Sequence, residues 1–133
     1  LIVLDTHALL WWANGDDQLS PHALAAIEHE MQADDGEVLI SAISAWEIAL
    51  LVEKGRLTLS MTTSDWLDTV EEIEGVRFIA LDAATAVEST RLPGEFHKDP
   101  ADRMIVALAR RFNAELITAD EKITAYRHVK TIW

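Results

Sequence analysis

The stretch Asp99-Pro100-Ala101-Asp102-Arg103-Met104-Ile105-Val106-Ala107-Leu108-Ala109 opens a helix. Asp99 suits the N-cap, where its carboxylate accepts free backbone amides, and Pro100 suits the first helical position, where a missing N–H costs nothing. At about 100° per residue, Asp102 projects beside Ile105, Val106 and Ala109, and Ala101, Met104, Leu108 and Phe112 extend the same apolar arc. Arg103, Arg110 and Arg111 take the opposite side. A carboxylate on a face meant for burial needs a partner, a proton or a metal. The helix dipole favours an acid in the first turn, and for Asp102 taken alone that is reason enough.

Working outward, short apolar runs alternate with helical segments. Residues 1–4, 38–40, 78–81, 115–118 and 128–132 read as strands, the first two as continuous apolar runs of the kind buried in parallel sheets. Asp5 and Thr6 cap a helix to about residue 13, and Ser20-Pro21 starts another to about 33. Ser44-Ala45-Trp46-Glu47 has the capping-box pattern and predicts a helix from there through Lys54. A further helix begins at Ser64 or Asp65 and stops at Gly75; another runs from the Asp82 cap to about 91, and a short turn follows Asp120. The alternation defines an α/β, three-layer sandwich, a mainly parallel sheet flanked by helices. The 133 residues show no repeat or linker, so residues 1–133 read as one domain.

In such a sheet, strand C-termini and the N-termini of the following helices share one edge, where ligands bind. Asp5 and Asp120 follow strands, and Glu47 and Asp102 are expected in first helical turns. Each acid has a local use as a cap. Caps do not explain two acids on apolar helix faces, and no Lys or Arg lies on those faces to pair with them. Two carboxylates about 4 Å apart repel by roughly 4 kcal/mol at an effective dielectric of 20; a divalent cation reverses the sign. Oxygen ligands without cysteine suit Mg²⁺, with Mn²⁺ as a substitute, over zinc.

The net charge is −12, which opposes nucleic-acid binding through the overall field. The charge is uneven: residues 91–133 carry eight Lys and Arg against six acids, a net of +2. A polyanion would approach that third, and Lys98, Arg103, Arg110, Arg111 and Lys122 are candidate backbone contacts. With no cysteine, no disulfide framework exists. No apolar run is long enough to span a bilayer and no secretory signal pattern is visible, so no membrane association and a cytoplasmic location are expected.

Leu4-Asp5-Thr6-His7, Ser44-Ala45-Trp46-Glu47-Ile48, His97-Lys98-Asp99-Pro100-Ala101-Asp102-Arg103 and Thr118-Ala119-Asp120 together resemble the PIN domain, and more narrowly the VapC-type ribonuclease toxins of toxin–antitoxin pairs. The resemblance covers the chain in order. It implies a five-stranded parallel sheet and a Mg²⁺-dependent endoribonuclease whose catalytic and metal-binding acids fall on Asp5, Glu47, Asp102 and Asp120. Asp99, Thr6 and Thr118 stand as accessory residues. It also implies a cognate antitoxin that blocks the site, and commonly a homodimer. Metal-assisted in-line displacement would leave 5′-phosphate and 3′-hydroxyl ends. Two rivals remain: a metal-dependent DNA nuclease of related fold, and a receiver-like Mg²⁺-binding signalling domain. The second expects adjacent acids after the first strand, where Asp5 stands alone.

Overall fold

Alternation along very short strands builds two cores, one on each face of a single sheet. Ile2 and Leu4 point to one side and Val3 to the other; Val38 and Ile40 oppose Leu39, and Ile117 opposes Leu116. The computed structural model describes residues 1–133. Its strands are β1 (Ile2–Leu4), β2 (Val38–Ser41), β3 (Val76–Ile79), β4 (Glu115–Ile117) and β5 (Thr131–Ile132). They lie in the order β3-β2-β1-β4-β5, and every neighbouring pair is parallel.

Seven helices cover the sheet: α1 (Thr6–Ala13), α2 (Pro21–Gln32), α3 (Ala42–Glu53), α4 (Thr63–Glu71), α5 (Ala83–Ser89), α6 (Pro100–Arg111) and α7 (Glu121–Thr124). Leu9, Ile27, Ile48 and Trp66 from α1 to α4 pack with Leu4 and Ile40. Ile105, Val106 and Leu108 of α6 and Ile123 of α7 pack with Val3, Leu39 and Leu116 on the other face. Burial on both faces is why these strands read as continuous apolar runs. It also gives the three layers expected from the sequence, with a wholly parallel sheet rather than a mainly parallel one.

The topology has one switch point. From β1 the chain builds outward through β2 to β3, then returns to add β4 on the other side of β1. The C-terminal ends of β1 and β4 therefore flank the crevice where an open parallel sheet receives its ligand. This order also removes the receiver-like reading, because that fold places its third strand beside its first, whereas here β3 is an edge strand next to β2.

Several boundaries differ from expectation: α4 begins at Thr63 and ends at Glu71 rather than reaching Gly75, β3 ends at Ile79 rather than Leu81, and β5 is only Thr131–Ile132 rather than 128–132. Two further shifts have clear local reasons. The α3 helix begins at Ala42, with Ser41 as its cap: the Ser41 hydroxyl accepts the Ile43 amide at 3.2 Å. The last residue of β2 thus caps the next helix directly, and the Ser44–Glu47 capping box does not form. Glu47 lies in the second turn rather than the first. The β3 strand starts two residues early, at Val76, because Gly75 adopts φ +90° and turns the chain straight into the sheet. No helix is long and apolar enough to cross a membrane.

Candidate active site

The β1 strand ends into Asp5, and local donors fix its carboxylate. One oxygen accepts the Ala8 amide at 2.9 Å, capping α1, and the other accepts the Thr118 hydroxyl. Thr118 lies just past β4, and its oxygen in turn accepts the Asp120 amide at 3.0 Å. Asp5 is 7 % exposed. Burial raises its pKa above the usual carboxylate value, against the lowering by Thr118 and Ala8.

Glu47 reaches the same crevice from α3. Thr6 donates its hydroxyl proton to Glu47 Oε1 at 2.5 Å, and Ser44 Oγ lies 2.9 Å from the same Thr6 oxygen. Thr6 has one proton, so the carboxylate takes it and Ser44 donates to Thr6. Burial also raises the Glu47 pKa, with Asp99 and Asp5 adding repulsion. Asp120 caps α7 by accepting the Lys122 amide at 2.8 Å and the Ile123 amide at 3.3 Å.

Asp99 and Asp102 come from the start of α6. Asp99 accepts the Asp102 amide at 3.0 Å, as an N-cap should. That frees the Asp102 carboxylate to turn into the crevice. Burial, then the charges of Asp99, Asp120, Glu47 and Asp5, push its pKa to about 7. The five acids line one cavity of about 430 Å³, with Thr6, His7 and Trp11 on its wall. An adjoining hollow brings His97, Glu121 and Lys122 to Asp99, Asp102 and Asp120.

No three of the chain's His, Asp and Glu groups stand close enough together to form a ready metal-binding group. Asp5, Glu47, Asp99 and Asp120 are each drawn to an amide or hydroxyl, while the Asp102 carboxylate faces the crevice beside His97. The donor set is nonetheless all oxygen and strongly negative, with no Lys or Arg in any ion pair to it. That chemistry matches a hard divalent cation.

Three residues at the site, His7, Trp11 and His97, have no catalytic or metal-binding role expected from the sequence. His7 and Trp11 are one helical turn apart on α1, a spacing that places both beside Asp5; their rings lie 5.7 Å apart. His97 shows no metal-ligand spacing in the sequence. Its Nε2 sits 3.1 Å from Asp102 Oδ2 in a geometry that forms no hydrogen bond, and that nitrogen is buried without another partner.

The basic candidates divide by position. Lys122 borders the acidic hollow and Lys98 is exposed on the loop before α6. Arg103 is already engaged. Its Nε donates to the Ser89 carbonyl at 2.8 Å, and one Nη donates to the carbonyls of Phe96 and His97 at 3.1 Å each. It ties the end of α5 to the loop carrying His97, a positioning task, and these bonds take up donors that the sequence reading had offered to RNA. Arg111 is held by Asp82 and Thr85, and the Thr85 amide and Arg111 together hold the Asp82 pKa down to about 2. Arg110 donates to the His128 carbonyl at 2.5 Å. Both Arg110 and Arg111 stand at the far end of α6, about 12 Å along the axis from Asp102 at 1.5 Å per residue.

A single parallel sheet with acids gathered at the β1–β4 switch point agrees with a match to the PIN domain family model over residues 2–129, and the chain belongs to the PIN domain family. It is similar to Ribonuclease VapC22 of Mycobacterium tuberculosis, with 36% identity over 99% of this chain and 98% of that protein. Among solved structures it resembles VapBC2 from Rickettsia felis bound to a DNA fragment from their promoter, with a TM-score of 0.71 and 18% identity over 98% of this chain and 96% of that one. It also resembles Mycobacterium tuberculosis VapC20, a Sarcin-Ricin loop cleaving toxin, with a TM-score of 0.65 and 14% identity over 98% of this chain and 99% of that one. At these identities the two structures speak to the fold.

Proposed function

We propose that the chain is a metal-dependent endoribonuclease, the toxin of a toxin–antitoxin pair acting in the cytoplasm. The observation that carries the reading is the cavity of five carboxylates at the switch point, in a PIN-domain chain similar throughout its length to a ribonuclease. Asp5, Glu47, Asp102 and Asp120 would hold Mg²⁺ or Mn²⁺, with Asp99 as cap and outer contact. A bound divalent ion would supply Lewis-acid activation of water and charge stabilisation at the phosphate.

The chain's own residues set the stage for that chemistry. Thr118 holds Asp5 and Asp120 in one register through its single hydroxyl. Thr6 fixes the Glu47 carboxylate. Asp102, with its pKa near 7, gives up its proton readily when positive charge arrives. Lys122 stands beside the acids, where it can meet a backbone phosphate without neutralising them.

An uninhibited nuclease of this type is toxic to its own cell, so a protein inhibitor is part of the proposal. Trp46 on α3 is 57% exposed, an apolar surface suited to a partner helix laid in a groove. An Arg or Lys of that partner would satisfy the acids in place of the metal.

The test is a matched panel of RNA and DNA oligonucleotides with Mg²⁺, and with chelator in excess. Cleavage of RNA that stops with chelator is the expected result. Cleavage of DNA but not RNA would transfer the site to the DNA-nuclease reading, and cleavage that persists in chelator would remove the metal role.

A further inference from the structure

A second cavity, of about 410 Å³, opens at the other end of the sheet from the acids. It is lined by Arg110, Asn113, Arg127, His128 and Lys130, together with the apolar Ala109, Ala114 and Val129, and by no acid. In a chain with 23 acids against 11 Lys and Arg, that segregation is notable for its local excess of positive charge. The cations are also uncompensated: none of the chain's ion pairs involves Arg110, Arg127 or Lys130. Arg110 spends one Nη on the His128 carbonyl, and its Nε is buried without a partner. Arg127 and Lys130 are exposed.

This cavity is joined to the acidic crevice by the chain itself. Residues 121–130 run from Asp120, at the C-terminal edge of the sheet, back to Thr131, where the parallel strand β5 begins at the opposite edge. Lys122, Arg127 and Lys130 are carried along that segment. An aromatic ladder ties the two ends beneath it. His97, beside Asp102, packs edge-on to Phe96 at 4.5 Å; Phe96 meets Tyr126 at 4.6 Å; Tyr126 meets His128 at 5.3 Å. The separation, roughly 12 Å along α6, equals about four nucleotides at a stacked spacing of 3.4 Å.

We propose that the Arg110–Arg127–Lys130 cavity is a subsite for RNA backbone phosphates that flank the cleaved bond, reached along the 121–130 segment. It rests on the ribonuclease reading and adds where the rest of the substrate lies. Phosphates seated there offset the repulsion that a net charge of −12 imposes on any RNA approaching the acids. The subsite contacts backbone and so contributes affinity without sequence preference.

The experiment uses Arg127→Ala/Lys130→Ala, two exposed positions whose loss is expected to leave the fold intact, with thermal unfolding as the check. Binding of a fluorescent twelve-nucleotide single-stranded RNA is followed by anisotropy in chelator, across a salt series. Removal of two phosphate contacts is expected to weaken binding about tenfold at low salt and to flatten the salt slope by about 1.4, at about 0.7 per contact for single strands. With Mg²⁺, the loss in cleavage of the same RNA should be carried by KM rather than kcat. Unchanged affinity and salt slope in the double variant would overturn the subsite alone. Wild-type chain that neither binds nor cleaves RNA would overturn the subsite together with the ribonuclease reading.

Discussion

Asp102→Asn is expected to lower Mg²⁺-supported RNA cleavage about 10²–10³-fold, the scale for removing one well-placed electrostatic contributor from an active site. Asparagine keeps the shape and one carbonyl oxygen but removes the negative charge. The Asp99 cap that starts α6 bonds to the backbone amide of residue 102, not to its side chain, so the helix should form unchanged. The proper comparison is Asp34→Asn, an exposed acid outside the crevice that makes the same change in net charge. Full activity in Asp102→Asn would reduce that carboxylate to a first-turn acid favoured by the helix dipole.

The same substitution should act in the opposite direction on the stability of the metal-free chain. The Asp102 pKa stands at about 7 when folded, against an ordinary aspartate value of 3.8. Between those values the unfolded chain has lost its proton while the folded chain keeps it, so the folded state binds more protons and stability falls as pH rises. The contribution is fully present below about pH 4 and gone above about pH 7. At about 1.4 kcal/mol per pH unit the ceiling is about 4 kcal/mol. Asp5 and Glu47, also raised by burial, add to the slope in the same direction. Thermal unfolding in chelator should therefore give a melting temperature that drops from pH 5 to pH 8, with a shallower drop and a higher value at pH 8 in Asp102→Asn. A wild-type melting temperature that rises over that range would contradict the repulsion assigned to the crevice.

What could be read in advance was local. Asp99-Pro100 announced α6, and the structure starts the helix at Pro100 with Asp99 as cap. The Ile2–Leu4 and Val38–Ser41 strands were legible because burial on both faces leaves an uninterrupted apolar run. The acids followed from a general property of parallel sheets, which brings strand ends and helix starts to one edge. The misplaced start of α3 has a different origin. Ser41 and Ser44 are both acceptable caps, and the choice between them depends on where β2 ends, which sheet pairing decides. His97 was illegible for a similar reason. Its approach to Asp102 depends on a loop held by Arg103 through three backbone carbonyls, and carbonyl contacts leave no pattern in sequence. Arg110 and Arg111 looked equivalent to Arg103 on a helical wheel, which carries no information about position along the axis. The structure places them at the end of α6 away from the acids, where Arg110 lines a basic cavity instead.

The five-carboxylate crevice is expected to take a divalent cation. Titration calorimetry with Mn²⁺ on the isolated chain at pH 7.5 tests this without RNA, antitoxin or turnover. Wild type should bind, with affinity falling at least about tenfold in Asp5→Asn and in Asp102→Asn and holding in Asp34→Asn. Binding of equal strength in Asp5→Asn, Asp102→Asn and wild type would place the metal elsewhere and return these acids to the role of caps.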